Sequence, residues 1–175
     1  KRFFEQVSGQ KVVDFFRKCN CSEKAARLMA SFCCVPVGPK GSVSEETTIA
    51  RGFATSSRLA AWCNLDIFTK LDLLIKKRLK GKDPRVAIYV DDIGIMASRA
   101  ALKEMEALKS EVVALFEKEG LVLHKIGITP HNEKPVHLGL ELRRNKLLIG
   151  PKTKSKIERL QNKSKKNLTP EGRFF

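Results

Sequence analysis

The fold of this chain is decided by residues 86–97, which read VAIYVDDIGIMA. Two short apolar runs, 86–90 and 93–97, are rich in β-branched residues and are separated only by Asp91 and Asp92. Short apolar runs on either side of two turn-forming residues are typical of a β-hairpin. The stretch therefore predicts two antiparallel strands, with a pair of carboxylates at the tip that joins them.

The pattern on both sides of this hairpin predicts helices and a few further strands. Apolar residues recur at three- and four-residue spacing where helices are expected, and short β-prone runs mark the strand candidates. The predicted helices cover residues 10–18, 23–34, 57–79, 99–119 and 151–168, and the predicted strands cover 121–128, 135–142 and 146–149, with a turn at Asn145 and a loop over 35–50. This order predicts an α+β domain in which helices back an antiparallel sheet.

The charge of the chain predicts a polyanionic partner. Thirty-four Lys and Arg residues stand against nineteen Asp and Glu residues, which leaves a net charge of +15. Cations that neutralise phosphates release condensed counterions, so a surplus of this size favours nucleic acid. The alternative is a generally basic surface without a specific partner. A membrane surface is less favoured, because no basic helical pattern has bulky apolar residues on one clean face. No apolar run approaches the roughly 18 residues that span a bilayer.

The five cysteines predict reduced thiols rather than a disulfide framework or a metal centre. Their number is odd and their spacing is irregular, which argues against a secreted disulfide scaffold. The pairs are C-x-C and C-C, whereas structural zinc sites commonly use C-x-x-C. These residues are Cys19, Cys21, Cys33, Cys34 and Cys63, and we expect most of them to be buried.

The two adjacent carboxylates at the hairpin tip require a physical explanation. Crowded or partly buried carboxylates are costly unless a cation compensates them. Mg²⁺ suits such a place, because it binds one or two carboxylates and completes its coordination with phosphates and water. Alternatively, Asp91 and Asp92 are simply the polar residues of a turn, where Asp is common.

A second motif, RGFATSS at residues 51–57, directly precedes the longest predicted helix. Gly52 permits a close backbone approach, while Thr and Ser hydroxyls can cap a helix whose first N–H groups attract anions. The motif therefore predicts either a binding site for an anionic or polar ligand, or an ordinary helix cap after a loop.

Together these motifs resemble those of reverse transcriptases, and the greatest likeness is to bacterial enzymes of the retron and group II intron type. Residues 89–92 resemble the Y-x-D-D motif, and residues 52–60 resemble the segment G-x-P-T-S-P-x-L-A. Residues 136–140, VHLGL, resemble the short hairpin called the primer grip. The resemblance covers nearly the whole chain. It implies a polymerase palm, a ferredoxin-like antiparallel sheet backed by helices, over residues 1–150, and the basic start of a helical thumb over 151–175.

The resemblance also implies a role for each matching residue. Asp91 and Asp92 correspond to the catalytic carboxylates that hold two Mg²⁺ ions, with Mn²⁺ as an alternative. The residues expected to contact the incoming nucleotide and its template base are Gly52, Phe53, Ala54, Thr55, Ser56, Tyr89 and Lys125. The residues expected to support the primer are Val136, His137, Leu138, Gly139 and Leu140. In this family picture Phe53 helps to reject the 2′ hydroxyl, and the Lys-rich stretch 152–166 grips duplex phosphates.

The chain departs from the family pattern in places that bear on activity. Ala54 and Ser57 replace prolines and Arg51 stands where Gln is common, which reshapes the loop without removing its donors. The candidate general acid, Lys125, is shifted from the family's position. The family's first metal-binding Asp is expected two positions before Lys1, and the fingers before that, so we expect the chain as it stands to be inactive.

The function implied by the resemblance is RNA-directed DNA polymerisation in the bacterial cytoplasm, in which dNTPs are added to a primer 3′ hydroxyl. The partners are the RNA template and the DNA primer and product, with a structured cognate RNA as a further candidate. Two alternatives stay open: a template-independent polymerase of the phage-defence type, and a non-catalytic RNA-binding module. His131 and His137 are expected at the surface, and Trp62 in the core.

Overall fold

The structure of the protein, a computed structural model, describes residues 3–130, 133–143 and 146–166. The predicted turn at Asn145 and the predicted surface residue His131 lie outside these ranges. The chain divides after Ile126 into two compact units, Lys1–Ile126 and Gly127–Phe175. The functional division expected at residue 150 is a different one, and it stays a prediction.

The described residues form an α+β fold, as predicted. The helices are α1 (Gly9–Lys18), α2 (Glu23–Cys33), α3 (Ser56–Trp62), α4 (Leu65–Arg78), α5 (Leu102–Lys118) and α6 (Pro151–Lys166), with a 3₁₀ turn at Phe4–Gln6. The strands are β1 (Cys34–Pro36), β2 (Thr47–Ile49), β3 (Arg85–Tyr89), β4 (Asp92–Met96), β5 (Val136–His137), β6 (Leu140–Arg143) and β7 (Lys146–Ile149). They form three small antiparallel sheets, β1–β2, β3–β4 and β5–β6–β7, because each strand pairs only with its neighbours in sequence. The single larger sheet that we expected is not formed within these ranges.

The first hydrophobic cluster lies among α1, α2, β2 and α3. Its buried members are Val7, Val12, Val13, Ala26, Ala30, Ile49, Leu59 and Ala60. Ser8 and Ser22 cap α1 and α2, since their hydroxyls accept hydrogen bonds from Lys11 N at 3.2 Å and Ala25 N at 3.3 Å. The cap predicted at Ser22 is therefore confirmed.

Residues 34–49 contain a hairpin where the sequence predicted only a loop. β1 pairs with β2 in the register Val35↔Thr48. Thr48 is buried, and its hydroxyl donates to Phe4 O at 2.6 Å. The Gly and Pro residues between the two strands are typical of loops. Each strand has only three residues, which is too short to give a recognisable strand pattern.

The predicted helix 57–79 is two helices, α3 and α4, which meet at Asn64. The Asn64 side chain is only 1% exposed. Its amide donates to Ala60 O at 2.7 Å, while its carbonyl accepts from Lys11 Nζ at 2.7 Å. An Asn side chain that bonds to nearby backbone competes with the helical ladder, which accounts for the break. The break separates α3, in the first cluster, from α4, in the second.

The second hydrophobic cluster lies between α4, α5 and the hairpin β3–β4. Its buried members are Ile67, Leu71, Ile75, Leu79, Leu108, Val112, Phe116 and Leu121, and Val86, Ile93 and Ile95 of the hairpin pack against them. α5 is closed at Gly120, as predicted: Gly120 N donates to Glu117 O at 3.0 Å, and Leu121 N donates to Phe116 O at 2.9 Å. With the φ of Gly120 at 73°, these two bonds form a Schellman cap.

Two predictions in the first unit were wrong. Residues 121–128 form neither strand nor helix. Leu121 is buried and Val122 is exposed, so the side chains do alternate between core and solvent as in a strand. No described strand pairs with this segment, however, and it therefore forms no sheet. Trp62 is half-exposed rather than in the core, and its ring stacks on Phe15 with 5.9 Å between the centroids.

The second unit is a three-stranded sheet followed by α6. The predicted strand 135–142 is the hairpin of β5 and β6, and the predicted strand 146–149 is β7, paired to β6 in the register Glu141↔Leu148. Pro151 begins α6, where its fixed φ suits the first helical turn. Across the described ranges, no helix combines the length and the apolar character needed to cross a membrane.

We predict that Asn64→Ala lowers the free energy of unfolding of the first unit by about 2–3 kcal/mol. The substitution leaves Lys11 Nζ without its acceptor and removes the donor to Ala60 O. Urea unfolding followed by the fluorescence of Trp62, the single tryptophan of the chain, measures the change close to the break. The control is Asp66→Ala, which removes an exposed ion pair with Lys18 and should move the midpoint far less. Equal shifts for the two variants contradict the role given to Asn64.

Candidate functional site

Strands β3 and β4 form the predicted hairpin, but its turn begins one residue earlier than predicted. The register Tyr89↔Asp92 makes Val90 and Asp91 the two-residue turn, and Asp92 is the first residue of β4. The sequence had placed both carboxylates in the turn, because Val is an unusual turn residue and Asp a common one. The two carboxylates are adjacent, one in the turn and one on the strand.

The hairpin has one covered face and one open face. Ile93 and Ile95 pack on the second cluster, and since side chains alternate along a strand, Asp92 lies on the other face. Tyr89 is opposite Asp92 in the register, so it shares that face, and it is 63% exposed. Asp91 and Asp92 are exposed as well. The end of the hairpin that carries both carboxylates is therefore open to solvent.

Neither Asp91 nor Asp92 makes a side-chain hydrogen bond or an ion pair with any described residue. Other carboxylates of this chain have lysine partners. A hydrogen bond from Lys18 holds the pKa of Asp66 below its ordinary value, and one from Lys82 does the same for Glu104. The acidic pair at the turn is thus available to a cation that comes from outside the chain.

Val90 adopts a left-handed backbone conformation in the turn. Its φ is 56°, which is rare for a β-branched residue because its side chain crowds the backbone there. Strain of this kind costs about 1–3 kcal/mol and persists only where the surrounding structure enforces it. Here the strand register and the packing of Ile93 hold the turn in this conformation.

The loop at Gly52, Phe53, Ala54 and Thr55 joins β2 to α3 and is exposed throughout. Gly52 has a φ of 92°, in the left-handed region that glycine adopts without penalty. Phe53 is 58% exposed, which is unusual for an aromatic side chain with no place in either cluster. The loop therefore offers backbone, one hydroxyl and one large apolar side chain to a ligand.

The hydroxyls of this loop do not cap α3 as the sequence predicted. Thr55 is the residue before α3, but its backbone is already helical and its side chain makes no cap hydrogen bond. Ser56 is buried, and its hydroxyl donates to Ala50 O at 2.6 Å. Ser56 therefore fastens the loop to the end of β2, and of the two residues only Thr55 presents its side chain to solvent.

Two contacts of the 3₁₀ turn were not predicted. Glu5 forms an ion pair with Arg51, the residue before Gly52. Gln6 exchanges hydrogen bonds with the backbone of Val122, which is 116 positions away. No motif marks Glu5 or Gln6, because contacts over such distances leave no local pattern in the sequence.

Lys125 lies in the segment that follows α5. It is exposed, and its φ of 54° turns the chain sharply at this point. Leu121 and Leu123, just before it, belong to the second cluster. The same compact unit therefore contains Lys125, the acidic pair and the exposed loop that begins at Gly52.

The predicted primer-supporting hairpin lies in the second unit. Its turn is Leu138-Gly139, with φ values of 50° and 79°, and two left-handed residues are the mark of a type I′ turn. Val136, Leu138 and Leu140 are exposed apolar side chains. His137 is half-buried rather than at the surface, and its Nε2 has no hydrogen-bond partner among the described residues.

Helix α6 presents cations over residues 152–159. Lys152, Lys154, Lys156 and Arg159 are all exposed. A helix of this kind can contact phosphates, and such contacts give affinity without sequence preference.

A cavity of about 880 Å³ lies beside α1, α2 and the segment between β1 and β2. Its lining includes Glu5, Gln6, Arg27, Glu45 and Glu46. None of the site residues predicted from the sequence lines it, so the cavity and the acidic pair are separate features of the described structure.

The five cysteines are free thiols. Cys19 is exposed and the other four are half-buried rather than fully buried. Burial raises the pKa of the Cys34 thiol to about 11 and that of the Cys63 thiol to about 12. In the described ranges no three His, Cys, Asp or Glu side chains come together as metal ligands.

No family model and no curated protein matches the chain. The likeness to reverse transcriptases rests on the motif residues themselves and on their order along the chain.

We predict that Val90→Gly raises the free energy of unfolding by about 1 kcal/mol, because relief of backbone strain exceeds the added freedom of the unfolded chain. Equilibrium denaturation measures the change. The control is Val86→Gly, which removes a side chain packed on the second cluster and should destabilise the protein by about 2 kcal/mol. Destabilisation by both variants contradicts strain at the turn.

We expect iodoacetamide at pH 8 to modify Cys19 well before Cys34 and Cys63. The thiolate is the reactive form, and this pH lies about three and four units below the pKa values of Cys34 and Cys63. Peptide mapping by mass spectrometry gives the order of modification. The same reaction in urea is the control, since unfolding should abolish the order. Early modification of Cys63 in the folded protein contradicts the burial described here.

Proposed function

We propose that this chain is the palm part of an RNA-directed DNA polymerase, a nucleotidyltransferase that extends a primer along an RNA template. The observation that carries the proposal is the exposed and unpartnered pair Asp91 and Asp92, at the end of a hairpin whose other face packs on helices. The order of the three motifs supports it. The finer fold assignment, a ferredoxin-like palm followed by the start of a thumb near residue 151, belongs to the same proposal.

The acidic pair fits Mg²⁺ in its chemistry. Mg²⁺ binds through one or two carboxylates and keeps water and substrate phosphates as its other ligands, and two exposed carboxylates on adjacent residues match that preference. In the described ranges no third His, Cys, Asp or Glu side chain is grouped with them. When bound, two Mg²⁺ or Mn²⁺ ions supply positive charge for the transferring phosphoryl group and the leaving oxygen.

The residues of the hairpin then have distinct roles. Asp91 and Asp92 would hold the cations, which would supply the positive charge that the reaction needs. Tyr89, on the open face opposite Asp92, offers an aromatic surface beneath the primer end. The primer 3′ oxygen would bond to the α-phosphate as its proton passes to water, and the bond between the α-phosphate and the departing pyrophosphate would break. Lys125 is the candidate that gives a proton to the leaving pyrophosphate.

The exposed loop is proposed to receive the incoming nucleotide. Gly52 has no side chain to obstruct a ligand and Thr55 presents a hydroxyl, so the loop can approach a sugar or a base closely. The exposed ring of Phe53 supplies bulk that disfavours a 2′ hydroxyl and thereby favours dNTPs. Ser56 contributes indirectly, because its hydrogen bond to Ala50 O shapes the loop.

The second unit is proposed to contact the primer and the duplex. The exposed apolar residues Val136, Leu138 and Leu140 suit contact with the sugar edges of a primer strand. The cations of α6 suit the phosphates of a duplex, as expected for a chain with a net charge of +15. A structured cognate RNA fits the same basic surface.

A non-catalytic RNA-binding module is the second candidate. Two observations favour it: no third metal ligand is grouped with the acidic pair in the described ranges, and α6 can bind phosphates without any chemistry. In that case Asp91 serves only as a turn residue and Asp92 only as an exposed strand residue, and their substitution leaves metal binding unchanged.

The decisive experiment measures dNTP incorporation by the full natural protein on a primed RNA template with Mg²⁺. Asp91→Asn and Asp92→Asn should each lower the rate by at least about a thousandfold. An amide binds Mg²⁺ more weakly than a carboxylate, so the positive charge of the metal ions that stabilises the transition state is lost. Asp83→Asn is the matched control, because Asp83 is an exposed acid whose φ of 42° Asn tolerates. Its rate should stay at the wild-type level. Incorporation without template indicates the phage-defence type, and no incorporation at all contradicts the proposal.

Metal binding by this chain is tested separately with Mn²⁺, whose unpaired electrons broaden NMR signals nearby. Backbone signals of residues 89–93 should broaden first in the wild-type chain. The double variant Asp91→Asn and Asp92→Asn should lose this effect, whereas Asp83→Asn should keep it. Unchanged broadening in the double variant favours the binding module.

A further inference from the structure

The 3₁₀ turn Phe4–Gln6 contacts two parts of the candidate site that lie far apart in the sequence. Glu5 pairs with Arg51, next to the exposed loop. Gln6 bonds to Val122, three residues before Lys125. One short turn therefore touches both the proposed nucleotide loop and the segment that carries the candidate proton donor.

The turn itself is held firmly by strand β2. The Thr48 hydroxyl lies 2.6 Å from Phe4 O and 3.1 Å from Val7 O, and Ile49 N donates to Val7 O at 3.3 Å. Thr48, Ile49 and Val7 are buried, so water does not compete for these bonds. The turn is a rigid support from which neighbouring side chains can position other segments.

The Gln6 side chain bonds to both the N–H and the carbonyl of Val122, as the backbone of a neighbouring strand can. Val122 N donates to Gln6 Oε1 at 2.8 Å, and Gln6 Nε2 donates to Val122 O at 3.5 Å. A primary amide carries both an acceptor and donors, so it can bond to both polar groups of one residue's backbone. In the described ranges, the backbone of residues 122–126 makes no other hydrogen bond. We call this pair of bonds the Gln6 clamp.

Hydrophobic contacts alone do not fix the segment. Leu121 and Leu123 pack on the second cluster, so their side chains are held against the core. Apolar packing is not directional, so it does not fix the orientation of the backbone in this segment. Val122 and Ile126 are exposed. The Gln6 clamp is the directional contact, and it ties the backbone to the rigid turn three residues from Lys125.

We propose that Gln6 is a positioning residue for Lys125, and that through the 3₁₀ turn it gives Lys125 and the Gly52–Ser56 loop a common support. The proposal rests on the polymerase function proposed above, since that reaction is where Lys125 is the candidate proton donor. Positioning effects are steep, because a misplacement of about 1 Å can cost about a hundredfold in rate.

The clamp is tested first on this chain, without reference to activity, by amide hydrogen exchange. Gln6→Ala should speed exchange at Val122 about tenfold, while the amide of buried Leu71 stays unchanged. Gln6→Glu keeps an acceptor for Val122 N and should keep most of its protection. Gln10→Ala is the matched control, because Gln10 is exposed and its side chain bonds only to Asp14 among the described residues. Equal exchange at Val122 in wild type and Gln6→Ala overturns the clamp.

The positioning role is tested in the full natural protein by a double-mutant cycle on primed RNA. Gln6→Ala should lower kcat about tenfold and leave the KM for the primer–template unchanged. Combined with Lys125→Ala, it should cause no further loss, since residues that act as one unit are not additive. Gln6→Glu should restore most of kcat.

Additive losses in the cycle overturn the positioning role while leaving the polymerase function intact. A wild-type protein that incorporates no dNTP overturns the polymerase function and this role together. In that event faster exchange at Val122 in Gln6→Ala still establishes the clamp as a structural contact, so the two failures are distinguishable.

Discussion

The packing of hairpin β3–β4 on helices α4 and α5 is the constraint on which the candidate site depends. Ile93 and Ile95 face the second cluster, and each half-buried aliphatic side chain contributes about 1 kcal/mol. A slip of one residue in the register would expose both of them and turn Asp92 toward the core. Hydrophobic packing thus places Asp92 on the solvent side and brings Asp91 into the turn beside it, although no polar contact to the described residues holds either carboxylate.

Buried polar contacts mark the places where the chain changes direction near this site. Thr48, Ser56 and Asn64 are the buried polar residues of the described ranges, and each bonds to a backbone carbonyl. They lie beside the 3₁₀ turn, at the start of α3 and at the break before α4. Because an unsatisfied polar group in a dry interior is costly, each bond favours one backbone path. The bond from Ser56 to Ala50 O joins the two ends of the loop that contains Gly52, and the residues between them are exposed.

The features that the sequence predicted are those with local signals. The hairpin, α1, α2 and α5 follow from short-range patterns, and so do the acidic pair and the Gly-containing loop. The break at Asn64 was missed because the apolar spacing continues through it, and because its carbonyl is satisfied by Lys11 on another helix. The prediction of a strand at 121–128 was wrong, because alternating buried and exposed side chains do not form a strand without a partner strand to pair with. The strain at Val90 depends on the register, and the Gln6 clamp spans 116 positions, so neither leaves a pattern in the sequence.

The charge distribution along the hairpin bears on what can bind there. Arg85 stands at the end opposite the turn, where it pairs with Asp83, and four residues of strand put it about 13 Å from Tyr89. The sequence has no Lys or Arg between Arg85 and Arg99, in a chain whose net charge is +15. In the proposed complex, a phosphate backbone at this turn meets two negative charges, which repel it. A divalent cation between carboxylates and phosphates removes that repulsion and attracts both. In the proposed complex, a metal ion is therefore the partner that best fits Asp91 and Asp92.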